Sequence, residues 1–271
     1  MINKESISVS PILRWAGGKN WLVKYIPELL PGNFNNYHEP FVGGGSIYLA
    51  VNPNNNAFLS DLNEGLIDMY NAIKNNPLYV INYLKTYENS KEFYYHLRDQ
   101  EFENRFEKAA RFIFLNQTSF NGIYRVNMKG KYNVPYGNRT KNFLEENKIY
   151  MLSERLSNAT ITHGDFEINK ENINTEDLVF LDPPYTVSHN ENGFIKYNQK
   201  LFSLEDQYRL SNFIDFIKSK NAYYILTNAA HEKINEIFDK GDKKFVKNRA
   251  NLIGGCNSNR GSIEEYIFTN I

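Results

Sequence analysis

The sequence predicts an α/β protein in which an open, doubly wound sheet is interrupted by a mainly helical insertion, and three stretches carry that prediction. Tyr37 to Phe41 reads as a short strand that runs through Val42-Gly43-Gly44-Gly45-Ser46 into an apolar helical stretch, Ile47 to Val51. Leu178 to Leu181 reads as a buried strand that must stop at Asp182, because Pro183 and Pro184 have no N–H to give a sheet. Between these, over residues 62–157, apolar residues recur at helical spacing instead. The chain is therefore expected to divide into an α/β domain of residues 1–61 and 158–271 and an inserted domain of residues 62–157.

The remaining elements follow in order. Residues 1 to 10 read as a loose arm, and Pro11 to Lys19 (PILRWAGGK) as a turn leading into a helix over Trp21 to Leu30, ended by Pro31-Gly32. Ala57 to Leu59 is a brief strand that reaches Ser60-Asp61. In the insertion Leu66, Ile67, Tyr70 and Ile73 share one helical face, and Leu78, Ile81 and Leu84 another after Pro77, which suits a helix start. Ser90 is placed to cap a helix through Arg98, and Lys108 to Leu115 reads as one more. Asn121 to Gly137 alternates around Met128-Lys129-Gly130, the pattern of a β-hairpin. Strands are expected again at Ala159 to His163, Tyr223 to Leu226, Lys244 to Lys247 and Ile263 to Thr269, with helices over Leu204 to Lys218 and His231 to Phe238.

Composition narrows the class. A chain of 271 residues with 41% hydrophobic content builds a real core, and a single cysteine, Cys256, excludes an internal disulfide framework. MINKESISVS has no apolar core of signal-peptide length, and no stretch approaches the roughly 20 apolar residues of a membrane span. The expectation is a cytoplasmic protein away from the membrane, monomeric by default. His38, His96, His163, His189 and His231 are scattered without ligand spacing, so no metal site is expected. Ser46 and Ser188 lack the surroundings of a nucleophile. With 31 basic and 31 acidic residues, any polyanion must be met by a local patch.

Three motifs bear on chemistry. In LVFLDPPY (Leu178 to Tyr185) a carboxylate, a proline carbonyl and an aromatic ring stand at the carboxyl end of a strand, where open α/β sheets place ligands; a strand stop capped by Asp fits the same residues. The glycine turn lets backbone N–H groups approach a ligand, and Asp61, 16 residues after Gly45, is placed to accept from ribose hydroxyls. The turn is not GxGxxG and no Lys-Ser or Lys-Thr follows it, so a nucleoside without phosphates fits best, S-adenosylmethionine being the common one. Glycines needed for turn geometry alone are the other reading. Between Glu107 and Glu145 there is no acid, while Lys108, Arg111, Arg125, Lys129, Lys131, Arg139 and Lys141 are basic and Phe120, Tyr124, Tyr132 and Tyr136 are interleaved. Such a stretch suits phosphates and base stacking, though a charge run is also what a solvated face looks like. A two-stranded ribbon can enter the major groove, which makes Arg125 the candidate for pairing with guanine.

Taken together, RWAGGK (Arg14 to Lys19), EPFVGGGS (Glu39 to Ser46), SDLN (Ser60 to Asn63), FNGIYRVN with NVPYG, GDF (Gly164 to Phe166) and DPPY resemble the DNA adenine methyltransferase family of the Dam and DpnII type, in the motif order called class α. The resemblance covers nearly the whole chain. It implies a Rossmann-like S-adenosylmethionine-dependent methyltransferase sheet with an inserted target-recognition domain, acting on double-stranded DNA. It implies that Trp15, Lys19, Asp61 and Asp182 hold S-adenosylmethionine, that Glu39, Phe41, Gly43 and Gly45 wall its pocket, and that Asp165 and Phe166 lie beside it, Phe166 packing on the adenine. It implies that Ile123, Arg125 and Pro135 touch bases, that Phe120 wedges into the duplex, and that Asn121, Asn127, Tyr136 and Arg139 complete the DNA-contacting set. Arg14 stands where relatives commonly carry Lys, at a position that reads the flank of the site. After DPPY the chain keeps Phe194, Tyr197, Phe202, Asp206 and Gln207 of the family pattern, with Leu201 where glycine is usual. The catalytic set implied is Asp182 and the carbonyl of Pro183 as acceptors for the amine, with Tyr185 stacking on a flipped adenine. GATC is the favoured target and GATATC a relative of it. A DNA-binding protein that keeps the fold without catalysis is the alternative from another class.

Overall fold

A computed structural model describes residues 10–127, 130–185, 202–250 and 262–271. Its strands are β1 (Tyr37–Glu39), β2 (Ala57–Asp61), β3 (Ala159–His163), β4 (Leu178–Leu181), β5 (Tyr223–Ala229), β6 (Lys243–Ala250) and β7 (Ser262–Thr269). They form one seven-stranded sheet in the order β3-β2-β1-β4-β5-β7-β6. β1, β4 and β5 run parallel, with Leu181 opposite Leu226, and β7 pairs antiparallel with both β5 and β6. All seven strands expected from the sequence are present. The helices are α1 (Ile26–Leu29), α2 (Ser46–Val51), α3 (Glu64–Asn75), α4 (Pro77–Lys85), α5 (Lys91–Asp99), α6 (Arg105–Thr118), α7 (Glu146–Arg155), α8 (Leu204–Ser219) and α9 (Glu232–Phe238).

By compactness the chain divides into two units. One takes the chain up to Val23 with Val42–Asn54 and Leu59–Asp165; the other takes Lys24–Phe41, Asn55–Phe58 and the chain from Phe166 onward. In the first unit α3 buries Leu66, Ile67, Tyr70 and Ile73, the face its periodicity predicts. α4 begins on Pro77 and α5 is capped by Ser90, whose hydroxyl accepts the Phe93 N–H at 3.2 Å, both as read from the sequence. Leu78, expected on the buried face of α4, is exposed, and Val80 takes its place in the core. The hairpin expected over Asn121 to Gly137 is only locally paired, through isolated bridges at Val126 with Tyr132 and Ser119 with Tyr136. Its expected tip, Met128 and Lys129, lies outside the described residues.

In the second unit the core sits between the sheet and α8, with Val179, Leu181, Leu210, Ile214, Tyr224 and Leu226 all enclosed. Each such aliphatic side chain contributes about 1.5–3 kcal/mol by leaving water. α8 starts on a capping box in which the Ser203 hydroxyl accepts from Asp206 N–H at 3.1 Å and the Asp206 carboxylate accepts from Ser203 N–H at 2.8 Å. The helix expected over Trp21 to Leu30 is shorter than its apolar pattern suggests. Pro27 cannot donate to Val23 and its ring clashes there, so regular helix begins only at Ile26.

Candidate active site

In the first unit the strand β2 ends on Asp61, whose carboxylate is half-buried beside the glycine turn. One oxygen accepts the Gly43 N–H at 3.0 Å and the other the Asn63 N–H at 2.9 Å. Burial pushes the carboxyl above its ordinary range, against the pull of these backbone donors. A carboxylate facing the turn repels phosphate. It has about four acceptor positions, two of them used by these N–H groups, so it fits a nucleoside's ribose hydroxyls better than a diphosphate. The residues present therefore suit the nucleoside part of S-adenosylmethionine.

The glycines of the turn answer first to Trp15. A Cβ on Gly43 (φ +46°) would stand 2.9 Å from Trp15 Cδ1, and one on Gly44 3.0 Å from Trp15 Cβ. Gly45 (φ +73°) faces the Tyr70 hydroxyl at 3.0 Å, and that hydroxyl donates to Gly43 O at 2.9 Å. Trp15 in turn stacks on Tyr124 at 5.7 Å and Phe112 at 6.4 Å between ring centres. Lys19 is buried, its ammonium donating to Gly17 O at 3.2 Å. Asp165 is half-buried at the end of this unit.

The acid-free stretch is also in the first unit. Phe120 is 53% exposed, with Ile123 and Val126 exposed near it in sequence. Asn121 adopts φ +56°, and the Phe120 N–H donates to the Pro135 carbonyl at 2.9 Å. Arg125 is exposed and turns its guanidinium to Asn133, Nε donating to Oδ1 at 2.8 Å. Asn127 N–H donates to Lys131 O at 2.8 Å. Tyr136 donates to Asn89 Oδ1 at 3.0 Å, and the Arg139 carbonyl accepts from Asn89 Nδ2 at 2.7 Å. Arg14 is tied to this stretch by a residue that the sequence did not flag. Buried Asn116 accepts the Arg14 N–H and donates to the Arg14 carbonyl, both at 2.8 Å, and reaches Gly122 O at 3.3 Å.

In the second unit β4 ends at Leu181, and Asp182 to Tyr185 leave the sheet at its carboxyl end as the prolines require. Asp182 is half-buried and its Oδ1 accepts the Thr227 hydroxyl at 2.8 Å; Pro183 is buried. The Tyr185 ring is half-buried and its hydroxyl donates to Glu265 Oε2 at 2.6 Å. Burial, with the charges of Asp182 and Glu265, holds that hydroxyl well above its ordinary pKa, so it remains a donor. Glu39 ends β1 fully enclosed and accepts the Tyr37 hydroxyl at 2.7 Å. Phe41 stacks on Phe166 at 5.6 Å and meets Phe202 edge-on at 5.7 Å, while the Arg209 guanidinium lies 4.7 Å over Phe166. Phe166 is thus a core ring that backs Phe41.

Thr227 and Glu265 were not flagged in the sequence either. Thr227 carried one signal, a polar pair closing the apolar run of β5; the position of Glu265 depends on pairing across 80 residues of separation from Tyr185. Ser188, His189, Phe194, Tyr197, Leu201 and Cys256 lie outside the described residues. Among the described residues no cluster of three or more His, Cys, Asp or Glu could hold a metal ion, and no helix is long and apolar enough to cross a membrane.

Comparison with known proteins agrees with this arrangement of motifs. The model of the D12 class N6 adenine-specific DNA methyltransferases matches residues 15–251. The chain is 36% identical to the type II methyltransferase M1.LlaDCHI of Lactococcus lactis subsp. cremoris, over 100% of this chain and 98% of the relative. It is 38% identical to the type II methyltransferase M.MjaIII of Methanocaldococcus jannaschii, over 82% of this chain and 85% of that one. It is 30% identical to the DNA adenine methylase of Haemophilus influenzae, over 90% and 88%. With a family match over most of its length, the chain belongs to the D12 class N6 adenine-specific DNA methyltransferases.

Proposed function

We propose that this protein moves a methyl group from S-adenosylmethionine to the 6-amino nitrogen of an adenine flipped out of duplex DNA, within GATC. The observation that supports this most is the carboxyl end of β4, where Asp182 is oriented by Thr227 beside the buried Pro183 and the half-buried Tyr185 ring. An adenine amine is a weak nucleophile because its lone pair is delocalised into the ring. If Asp182 and the Pro183 carbonyl accept its two N–H hydrogens, the nitrogen is drawn towards a tetrahedral shape with its lone pair free to attack. The same acceptors stabilise positive charge as it grows on the nitrogen, a gain realised mostly in the transition state. Tyr185 stacks on the extruded base and offsets part of the few kcal/mol lost on unstacking and unpairing. S-adenosylmethionine, when bound, would supply a methyl group activated by its sulfonium, the C–S bond breaking to leave the neutral thioether, and the methylated nitrogen gives up one N–H proton to Asp182 or solvent.

On the donor side Asp61 accepts from the ribose hydroxyls, with Trp15, Lys19, Glu39, Phe41, Gly43, Gly45, Asp165 and Phe166 forming or backing the pocket. On the DNA side the exposure of Phe120 and Ile123 within an acid-free stretch supports a wedge and a base contact there. Arg125 and Pro135 add base contacts, Arg14 reads the flank, and Asn121, Asn127, Tyr136 and Arg139 hold the backbone. The type II relatives support a role in restriction-modification. The deciding test is Asp182→Ala. Methyl transfer should disappear while DNA affinity stays near that of the parent; transfer at the parent's rate would remove Asp182 from the chemistry. Methylation-sensitive sequencing of DNA from cells making the parent protein should report N6-methyladenine in GATC, and a different context would replace the target.

A further inference from the structure

Tyr185 needs only its ring to stack on a base, yet its hydroxyl is not left to solvent. It donates at 2.6 Å to Glu265 Oε2, and Glu265 is itself 0% exposed. The other carboxylate oxygen of Glu265 is taken by Arg249 Nε, so the acid is held as one half of an ion pair. An enclosed carboxylate is costly unless it is paired and hydrogen-bonded, and these two donors meet that need. The sheet explains how so distant a residue arrives there. β7 runs antiparallel to β5 and sets Glu265 opposite Ala229, the last residue of β5, at the end of the sheet where β4 releases Asp182 and Tyr185. β6 continues the same hairpin and supplies Arg249.

We infer that Arg249 and Glu265 form a positioning pair that locks the Tyr185 ring through its hydroxyl, so that the C-terminal β6–β7 hairpin sets the orientation in which the target base is stacked. This rests on the methyltransferase reading given above. Arg249 fixes the carboxylate, the carboxylate fixes the hydroxyl, and the hydroxyl fixes the one torsion by which the ring could swing away from the base. Neither Arg249 nor Glu265 touches the reacting atoms. The prediction is that a tyrosine whose ring alone mattered would tolerate loss of its hydroxyl, whereas this one does not.

The test is a cycle of Tyr185→Phe, Glu265→Gln and the double variant, with methyl transfer to unmethylated plasmid DNA and thermal unfolding measured for each. Tyr185→Phe keeps the ring and should lower kcat by roughly ten- to a hundredfold, the scale on which small misplacements are felt, with the KM for S-adenosylmethionine unchanged. The double variant should be no slower than the slower single one, and its Tm shift should be smaller than the sum of the two single-variant shifts. Wild-type kcat in Tyr185→Phe overturns the inference, as do effects on kcat that multiply. If Glu265→Gln does not fold, Tyr185→Phe decides alone, because it leaves the ion pair in place. Nucleoside analysis of the plasmid methylated by the parent enzyme separates the two levels. Absence of N6-methyladenine removes both readings, whereas its presence with independent effects removes only this one.

Discussion

Gly43→Ala tests why the turn after β1 carries glycine. Two costs can be read from the structure. At φ +46° an alanine sits in the left-handed region, which costs about 1–2 kcal/mol for a residue with a Cβ. That Cβ would also stand 2.9 Å from Trp15 Cδ1 and 3.0 Å from Nε1, well inside the roughly 3.5–4.0 Å at which carbon atoms rest. The indole cannot retreat freely, because it is stacked on Tyr124 and Phe112, each pair contributing about 0.5–1.5 kcal/mol. Overpacking of this kind costs about 1–3 kcal/mol. The expected loss is thus about 2–5 kcal/mol, seen in thermal unfolding as a fall in Tm of roughly 5–15 °C. In a Trp15→Leu background the same substitution should cost only the backbone contribution, about 1–2 kcal/mol. Circular dichroism melts of the four proteins measure both. A Gly43→Ala cost that is the same with and without the indole would refute the packing argument. A variant that melts like the parent but no longer binds S-adenosylmethionine would show that the glycine serves the ligand instead.

Arg125→Ala should cost about 1–3 kcal/mol of discrimination at one guanine of the target, measured as relative kcat/KM on duplexes differing at that base. An equal loss on every sequence would make it a phosphate contact. In the proposed role of Asp61 as acceptor for ribose hydroxyls, the ionised carboxylate is the stronger acceptor. Because burial raises its pKa, affinity for S-adenosylmethionine should fall as pH is lowered, beginning above the value near 4 of an ordinary carboxylate. Calorimetric titration across pH checks this, and a flat profile down to pH 4 removes Asp61 from the site. Asp177 is enclosed, which raises its pKa, but donors from His38 and from the Asn36 and Asn174 backbones outweigh burial and hold it below the ordinary range. Its stabilising contribution is therefore complete above about pH 4 and lost as pH falls through the depressed value. Asp177→Asn should lower Tm at pH 7 and flatten its decline in acid; an unchanged slope would place the acid sensitivity elsewhere.

The residues that were legible in the sequence are those whose position is set by near neighbours. Short apolar runs bounded by Pro, Gly and Asn named all seven strands, and the prolines after Asp182 ended β4 where they must. α7 escaped notice because its Glu145 start makes no side-chain cap and only Ile149 and Leu152 are enclosed, too few to show a period. Alternation over Asn121 to Gly137 predicts a hairpin, but alternation does not measure pairing. Arg125 bonds to Asn133 across the two arms, yet ladder contacts are confined to isolated bridges among the described residues. Asn116 was invisible for another reason. A buried amide in an apolar helix looks like any helical Asn until its partners, Arg14 and Gly122, are known, and Arg14 is 102 positions away.

The same distinction separates the two sides of the chemistry. Asp61 and the glycine turn are linked by 18 residues, and the link is a strand, a turn and a helix, so composition carries it. The DPPY end is completed from β5 and β7, by Thr227 and Glu265, across separations of 45 and 80 residues. In an all-parallel sheet only the last residues of each strand reach the ligand end. Reversal of β7 brings its first half there instead, which is why an enclosed acid from near the C-terminus stands beside a tyrosine from the middle of the chain. A change confined to β5 or β7 would keep the DPPY motif intact in sequence. The orientation of Asp182 and Tyr185 nevertheless depends on register in β5 and β7, and a slip of one residue there turns Thr227 and Glu265 to the opposite face. Retention of DPPY therefore reports the proposed acceptors, and the register of β5 with β7 reports whether Asp182 and Tyr185 are held.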